Sequence, residues 1–507
     1  MQDNRQPKDP ASSRALRIPE ILQAVGDRFY LTLDYMDCSW ATNTDKIISL
    51  VAFIQVSKLW FRTFHPILWY SYNPTTMRGF SKKALQTNTP HLKIVNIIGE
   101  LSRQLNCNHL VTLELLRSYL NRRIHDLPME RELVRANRGL KTLVWEGLQS
   151  SVYLTLQKED FTELQCLREL TLCRWDSNKM PFIDILRPMA NTLTTLNLRH
   201  IEEFFVGNLK NVNDPSSARV TLPRLETILV DTHRYEYARQ VLPSMTRELV
   251  VASPNLRTLG FKLHQVDDQN EARVLARSLR KHCPKLQNLT IHCTHNHLEV
   301  ETATVTTAID FIRECSASGL TRLTVWDAPW HDSDLFSAIV SHAGRLEDLE
   351  ISWAVEGYTG HNMRAGAERV LHLLTQCCRL KRFMVSDVPL GSLGDVFELW
   401  RSQPWGCLEL ESFGMKFAWT GEDDDAEGSD EEDYDDEVEA ISSTNPVVGW
   451  YLHGNEGKRP LFSGVVKELF RILQPLQHIH TLIVDKMEYT RSSVPPVRRP
   501  LPRSSAM

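Results

Sequence analysis

A six-residue pattern of apolar and polar positions recurs along most of the chain. A leucine, or an isoleucine in the last copy, is followed by two variable residues, an apolar residue, a variable residue and a second apolar residue. The copies start at positions 140, 167, 193, 225, 256, 286, 320, 346, 380, 410 and 479, with weaker copies at 92 and 110. Because the last four positions alternate, each copy predicts a short strand that turns its apolar side chains toward a core.

Segments with helical periodicity separate these strands, and the copies between 140 and 410 start 26 to 34 residues apart. Prolines at 90, 223, 254 and 284 stand two residues before a leading leucine, where the missing backbone donor ends a helix. Examples of the helical sets are Phe182, Ile185, Leu186 and Met189; Ala367, Val370, Leu371 and Leu374; and Val466, Leu469, Phe470 and Leu473. One strand and one helix cannot bury their own apolar faces, so we predict an α/β solenoid shaped as a horseshoe, with parallel strands inside and helices outside.

The repeated units resemble leucine-rich repeats, and residues 75–485 are assigned to this solenoid. The stretch "HCPKLQNLTI" at 282–291 is similar to the cysteine-containing subclass of these repeats that often follows an F-box. In such repeats the position three residues after the strand usually carries asparagine or cysteine. Here it holds Thr294, Ala328 and Val388, which predicts an irregular ladder of hydrogen bonds at these places.

A different pattern occupies residues 14–72. Three sets of apolar residues at helical spacing predict three small helices, and we expect Pro66 to disturb the third. The sets are Ile18, Ile21, Leu22 and Val25; Ile47, Leu50, Val51 and Ile54; and Trp60, Phe64 and Ile67. Pro19 and Glu20 suit the first turn of the first helix.

This small all-α segment resembles an F-box. "IPEIL" at 18–22 is similar to the opening signature, "VSKLW" at 56–60 to the closing one and "PILW" at 66–69 to a continuation frequent in fungal-type members, while "YLTLDYMDCSWATNT" at 30–44 reads as an insertion. The resemblance implies a non-catalytic substrate receptor, whose F-box binds a Skp-type adaptor and through it a cullin that positions a ubiquitin-conjugating enzyme. The residues implied for adaptor binding are Ile18, Pro19, Ile21, Leu22, Val56 and Trp60.

Two other interpretations of the chain stay open. A helical segment before a solenoid can also seal the apolar end of the first repeat, which would make the chain a leucine-rich-repeat scaffold or inhibitor that assembles no ligase. An enzyme carried on the solenoid is the third interpretation. No Gly-rich phosphate loop with a Gly-Lys-Ser/Thr ending and no His-Glu-x-x-His motif occurs, so we expect no cofactor and no catalytic site.

The outward positions of the predicted strands are candidates for contact with an unknown protein target. They change from basic through aromatic and acidic back to basic along the chain, which suits a folded protein or a peptide better than a uniform polyanion. We select Arg199, Lys262, His292, Arg322, Trp326 and Glu350, and the same positions hold Asp348, Arg382 and Lys416. Trp326 is the predicted anchor, because large aromatic side chains often dominate binding energy.

The distribution of charge adds an insertion to this picture. The run at 422–439 carries 13 acidic residues and no basic one, and without it the net charge of −5 becomes +8. Such a run cannot form a core, so we expect a disordered insertion at 420–446. The mildly basic remainder is spread over a long chain and disfavours nucleic acid as the partner. Residues 1–13 and the Pro/Arg-rich end at 486–507 are expected to be disordered.

Several features bear on compartment and metal binding. No apolar run approaches the roughly 20 residues that span a bilayer, and the first residues lack the apolar core of a secretion signal. The ten cysteines, among them Cys166 and Cys173, are interpreted as buried thiols, which favours the cytoplasm or the nucleus. "IHCTHNH" at 291–297 has too few converging ligands for zinc and is interpreted as a polar loop after a strand.

Overall fold

The structure, a computed structural model, describes the following parts of the chain. They are residues 51–72, 81–96, 107–115, 127–146, 156–173, 175, 185–199, 220–231, 242–263, 269–293, 302–315, 319–328, 332–353, 360–389, 393–418, 450–453, 469–473, 476–484 and 487–491. The predicted first helix with Ile18, Pro19, Ile21 and Leu22 lies outside the described residues, as do Thr294 and the predicted insertion at 420–446. The chain divides into two compact units, and the described residues up to 225 belong to the first.

In the described part of the first unit, six strands pair in parallel and in chain order. They are β1 (Ser71–Tyr72), β2 (Ile94–Asn96), β3 (Thr112–Leu115), β4 (Thr142–Glu146), β5 (Glu169–Cys173) and β6 (Thr195–Arg199). The helices are α1 (Lys58–Leu68), α2 (Lys82–Asn88), α3 (Leu127–Ala136) and α4 (Lys158–Thr162), with 3₁₀ turns at Thr89–His91 and Arg187–Met189. Residues 51–54 are also helical.

In the second unit, strands again follow helices in a regular order. The strands are β7 (Thr227–Asp231), β8 (Thr258–Leu263), β9 (Asn288–Cys293), β10 (Arg322–Ala328), β11 (Asp348–Trp353), β12 (Arg382–Pro389), β13 (Ser412–Ala418), β14 (Trp450–His453), β15 (Thr481–Val484) and β16 (Met487–Arg491). The helices are α5 (Leu242–Ala252), α6 (Gln269–His282), α7 (Thr302–Glu314), α8 (Ser333–Val340), α9 (Gly360–Gln376) and α10 (Leu393–Arg401). From β7 to β13 and on to β15, successive strands are parallel, and each helix from α5 to α9 contacts the next.

The six-residue pattern predicted the strands correctly. Each of its copies forms a strand that begins two residues after the leading leucine or isoleucine. The apolar positions are buried in register, as Leu323 and Val325 of β10 and their partners Leu349 and Ile351 of β11 show. The helices end where the prolines indicated, since α5 stops two residues before Pro254 and α6 two residues before Pro284. Each unit is therefore a solenoid-like α/β stack built on parallel strands, which are β1 to β6 in the first unit and β7 to β13 with β15 in the second.

Three predictions about individual elements were wrong. Pro66 does not end the third small helix, because α1 continues through it to Leu68. Residues 71–72, assigned to the helical segment, form β1 and pair with β2. The C-terminal tail does not start at residue 486, because β16 pairs antiparallel with β15 after a two-residue connection and β14 then pairs with β16. A hairpin needs only two connecting residues, which leave little signal in the sequence. The proline-rich composition that follows therefore led to the prediction of a tail from residue 486.

The irregular ladder occurs where Ala328 and Val388 replace the usual residues. The register shifts between Val325 and Ala328 of β10, and again between Val385 and Val388 of β12. A bulge of this kind leaves a residue unpaired and bends the strand locally. The prediction of an irregular ladder is therefore confirmed at these two places.

Residues three positions before the leading leucine of a repeat join that repeat to the preceding one. The sequence analysis did not identify this position. In the first unit, buried Asn137 accepts a hydrogen bond from the backbone N–H of Leu110 and donates to the carbonyls of Cys107 and Leu133 at 2.8 and 2.7 Å. In the second unit, the Cys283 thiol lies 3.6 Å from the carbonyl oxygen of Ser253. These contacts satisfy backbone groups that burial would otherwise leave unpaired.

His342 is a buried histidine at the turn before β11. Its Nε2 donates to the carbonyl oxygen of Ile312 at 2.8 Å, because a carbonyl can only accept. Burial lowers the pKa of His342, and the charge of Arg345 lowers it further, although the hydrogen bond to Ile312 acts in the opposite direction. The folded protein therefore holds the neutral imidazole more firmly than the unfolded chain does.

Because of His342, we expect the folded protein to lose stability in mild acid. The pKa of His342 in the folded protein lies below its unfolded value of 6.5. Its contribution to the free energy of unfolding is therefore full above that pH and is lost as the pH falls below it. We expect the free energy of unfolding of the wild type to fall between pH 7 and pH 5, and to fall less steeply in His342→Gln. Urea unfolding at each pH measures both slopes. A steeper slope in the variant would contradict the prediction. The variant should still show some slope, because burial and the neighbouring His91 also lower the pKa of His65.

Deletion of the acidic run should have almost no effect on the stability of the protein. The leading residues at 410 and 479 lie 69 residues apart, about twice the usual spacing. Because the run from Glu422 to Glu439 carries few apolar side chains, its removal should change the free energy of unfolding by less than about 0.5 kcal/mol, as surface changes do. Thermal unfolding of the deletion variant beside the wild type checks this. A clearly lower melting temperature would mean that the run packs against the basic remainder.

Candidate protein-interaction surface

The outward positions of the second unit form rows across neighbouring strands, because consecutive strands stay in register. One row contains Lys262, His292 and Trp326, which pair in that order across β8, β9 and β10. A second row runs from Asn288 through Arg322, Asp348 and Arg382 to Ser412. The structure therefore brings together most of the positions that the sequence selected. We call the outward side of β9 to β12 the strand face.

Trp326 forms the aromatic part of the strand face. It is half-buried, and its ring centroid lies 3.9 Å from that of His292 in an edge-to-face arrangement. Asp327, the next residue, has a φ of +55°, an uncommon conformation for any residue except glycine. It stands at the register shift of β10, and bulges often redirect a neighbouring side chain. The bulge therefore ends the regular alternation directly after Trp326.

Arg322, Asp348 and Arg382 form an ion-pair cluster on adjacent strands. Arg322 Nε lies 2.6 Å from Asp348 Oδ2, and Arg382 Nη2 donates to the same oxygen. Both arginine side chains are about half exposed, whereas the carboxylate is mostly covered. Sequence analysis identified these positions as outward, but it did not foresee that two arginines would share one carboxylate.

The remaining selected residues have different positions. Glu350 is half-buried and pairs in register with Thr324 and Met384. Lys416 is exposed in β13. Arg199 belongs to the first unit, where it is half-buried at the end of β6 opposite Cys173 of β5. The selected residues thus include a group on the second unit and one residue on the first.

A second candidate surface lies on the helical segment before β1. Val56 is 61% exposed and Phe61 is 46% exposed, and they lie only five positions apart in the chain. The Ser57 hydroxyl accepts a hydrogen bond from the Trp60 N–H at 3.2 Å, so the serine of "VSKLW" caps α1. Trp60 is half-buried, with its ring 5.4 Å from those of Phe53 and Phe64. Sequence analysis selected Val56 and Trp60 but missed Phe61.

The histidine, cysteine and carboxylate side chains of the described residues bear on metal binding and on thiol reactivity. They contain no group of three or more histidine, cysteine, aspartate or glutamate side chains that could hold a metal ion. Burial raises the pKa of Cys107 to about 11 and those of Cys283, Cys293, Cys315, Cys377 and Cys407 to about 12, which makes these thiols poor nucleophiles. Cys173 is buried as expected, whereas Cys166 is exposed because it lies in the turn before Leu167.

No helix in the described part of the chain combines the length and the apolar character needed to cross a membrane. Neither a scan against protein-family models nor a search of curated proteins gives a match.

Proposed function

We propose that the chain is the substrate-recognition subunit of a Skp/cullin/F-box ubiquitin ligase. In this proposal the helical segment is an F-box that binds the adaptor, and the repeats are leucine-rich repeats that form a horseshoe and hold a protein target. The observation that carries the proposal is the exposure of Val56 and Phe61 on a helical segment that directly precedes β1. Exposed apolar side chains at this place suit a partner surface that would cover them.

The order of elements also supports this function. In the described part of the chain, a small helical segment precedes the strand and helix repeats, which is the order that the resemblance to F-box proteins with leucine-rich repeats implies. The chain would catalyse nothing itself and would act in the cytoplasm or the nucleus. Its contribution would be to hold the target near an enzyme that the cullin brings.

A leucine-rich-repeat scaffold without ligase assembly is the second candidate. Phe64, Leu68 and Trp69 of the helical segment are buried, as expected of a cap that seals the apolar end of the first repeat. A cap and an adaptor-binding module are compatible in one segment, since the buried and exposed side chains differ. Adaptor binding therefore decides between the two candidates.

The test is co-purification of a Skp-type adaptor with the full chain. Val56→Asp should reduce adaptor recovery about tenfold or more, because it places a charge in an apolar interface. Leu408→Asp is the matched control, since Leu408 is 64% exposed in the second unit and lies far along the chain. Ile21→Asp should abolish adaptor binding if the resemblance holds. Adaptor recovery by a chain that starts at residue 75 would overturn the proposal.

A further inference from the structure

The ion-pair cluster on the strand face has more cations than anions. Arg322 and Arg382 contact one oxygen of Asp348, and the same row continues on either side with the neutral residues Asn288 and Ser412. Two positive charges therefore face one negative charge. Each guanidinium carries five N–H donors, and each contributes one nitrogen to the contact with Asp348.

Of the neighbouring carboxylates, Glu347 has cations of its own, whereas Glu350, two residues beyond Asp348 on β11 and in register with Thr324 and Met384, confines the excess to the cluster itself. Glu347 lies 3.0 Å from Lys381 Nζ and 3.4 Å from Arg379 Nη2. Glu411 lies 4.0 Å from His480 Nε2 and adds to the negative potential at Lys381. The two arginines thus form a place where one more carboxylate would be matched by donors from two directions.

An aromatic side chain lies along the same strand. Arg322, Thr324 and Trp326 occupy successive outward positions of β10, and Thr324 between the other two is small and buried. Arg322 and Trp326 are four residues apart, which corresponds to about 13 Å in a strand. A bound segment in extended conformation covers the same distance with four of its own residues.

We propose that the strand face binds an extended protein segment with an acidic side chain between Arg322 and Arg382 and an aromatic side chain, four residues away, on Trp326. This inference rests on the proposed function, because it specifies the class of target that the receptor would hold. The charge excess selects the acidic residue, and the half-buried indole beside His292 selects an aromatic one. Nucleic acid is disfavoured, because Asp348 and Glu350 would repel a continuous polyanion.

Fluorescence anisotropy with the full chain and one defined peptide tests the inference. The probe is a fluorescein-labelled decapeptide, Gly-Ser-Glu-Glu-Ser-Ser-Ser-Phe-Ser-Gly, and its controls carry Gln in place of both Glu or Ala in place of Phe. Arg322→Ala and Trp326→Ala should each raise the dissociation constant about tenfold. Arg364→Ala, an exposed arginine of α9 that pairs with Glu368, should leave it unchanged.

Asp348→Asn gives the most specific readout. It removes the carboxylate that competes for the two arginines, so the probe should bind about threefold or more tightly. A purely structural cluster would instead lose binding or stability in this variant. Urea unfolding of every variant shows that each one is folded before binding is compared.

The inference is overturned if the wild type does not bind the probe, if the Gln peptide binds as well as the Glu peptide, or if Asp348→Asn binds no more tightly. Equal binding of a fluorescein-labelled oligothymidylate would also overturn it, in favour of a general polyanion surface. Adaptor recovery measured on the same preparations keeps the two proposals distinguishable. Intact adaptor binding without peptide binding contradicts this inference alone, and the reverse result contradicts the ligase proposal alone.

Discussion

Replacing Asp160 with alanine is expected to lower the free energy of unfolding of the first unit by about 3 kcal/mol, because three hydrogen bonds to one buried carboxylate are lost together. The carboxylate is fully buried in α4. Its Oδ1 accepts from Arg135 Nε at 2.7 Å, and its Oδ2 accepts from Arg131 Nε at 2.9 Å. Because both arginines belong to α3, this one side chain joins two consecutive helices of the stack.

The substitution removes more than an ion pair. Asp160 Oδ2 also accepts from the backbone N–H of Gln157 at 2.8 Å, so the variant loses a hydrogen bond at the start of α4. Urea unfolding of the full chain, followed by tryptophan fluorescence, measures the change, because Trp145 and Trp175 lie in the same unit. Glu163→Ala is the control, since its pair with Arg138 is exposed and should contribute less than about 1 kcal/mol. Equal effects of the two substitutions would contradict the prediction.

Gly406→Ala is expected to lower the free energy of unfolding of the second unit by about 2 to 3 kcal/mol. The Gly406 N–H donates to the carbonyl oxygen of Leu374 at 2.9 Å, which holds this turn against the end of α9. A Cβ at Gly406 would overlap the carbonyl oxygen of Thr375 and lie 3.0 Å from its carbonyl carbon. Since both atoms are backbone, a side-chain rotation cannot relieve the overlap.

Gly344→Ala is the matched control for this prediction. No atom lies within 4 Å of a Cβ at that turn, so alanine fits there. Thermal unfolding of the two variants should show a clear loss for Gly406→Ala and almost none for Gly344→Ala. A neutral Gly406→Ala would mean that the turn can move away from α9 without cost.

The positions of the strands could be predicted because each repeat carries its own period-two pattern. A residue such as Leu323 is apolar in sequence and buried in the structure for the same reason, namely that it takes an inward position of its strand. The elements that were missed lack this local signal. β1 has two residues, and β14 pairs with β16 across a long stretch of chain, so neither is visible in a short window.

The candidate surface was predictable in outline but not in detail. The six-residue pattern showed that Arg322, Asp348 and Arg382 take equivalent outward positions in three repeats. It could not show that both arginines would bend toward one carboxylate oxygen, because side-chain ion pairing depends on distances of a few ångströms between strands. The bulge at Asp327 was anticipated as an irregular ladder, but its positive φ is visible only in the backbone.

The buried thiols at the turns provide a natural means of observing the motion of individual repeats. Cys283, Cys377 and Cys407 follow different helices of the second unit, and each of them is buried. A thiol with a pKa near 12 hardly reacts with an alkylating reagent while it stays enclosed. The rate at which each of these cysteines becomes modified, read by mass spectrometry of its peptide, therefore records how often that repeat opens. The alkylation rates of these cysteines thus report local opening repeat by repeat. A bound target that holds the repeats closed would lower the alkylation rate of the cysteines at the place where it binds.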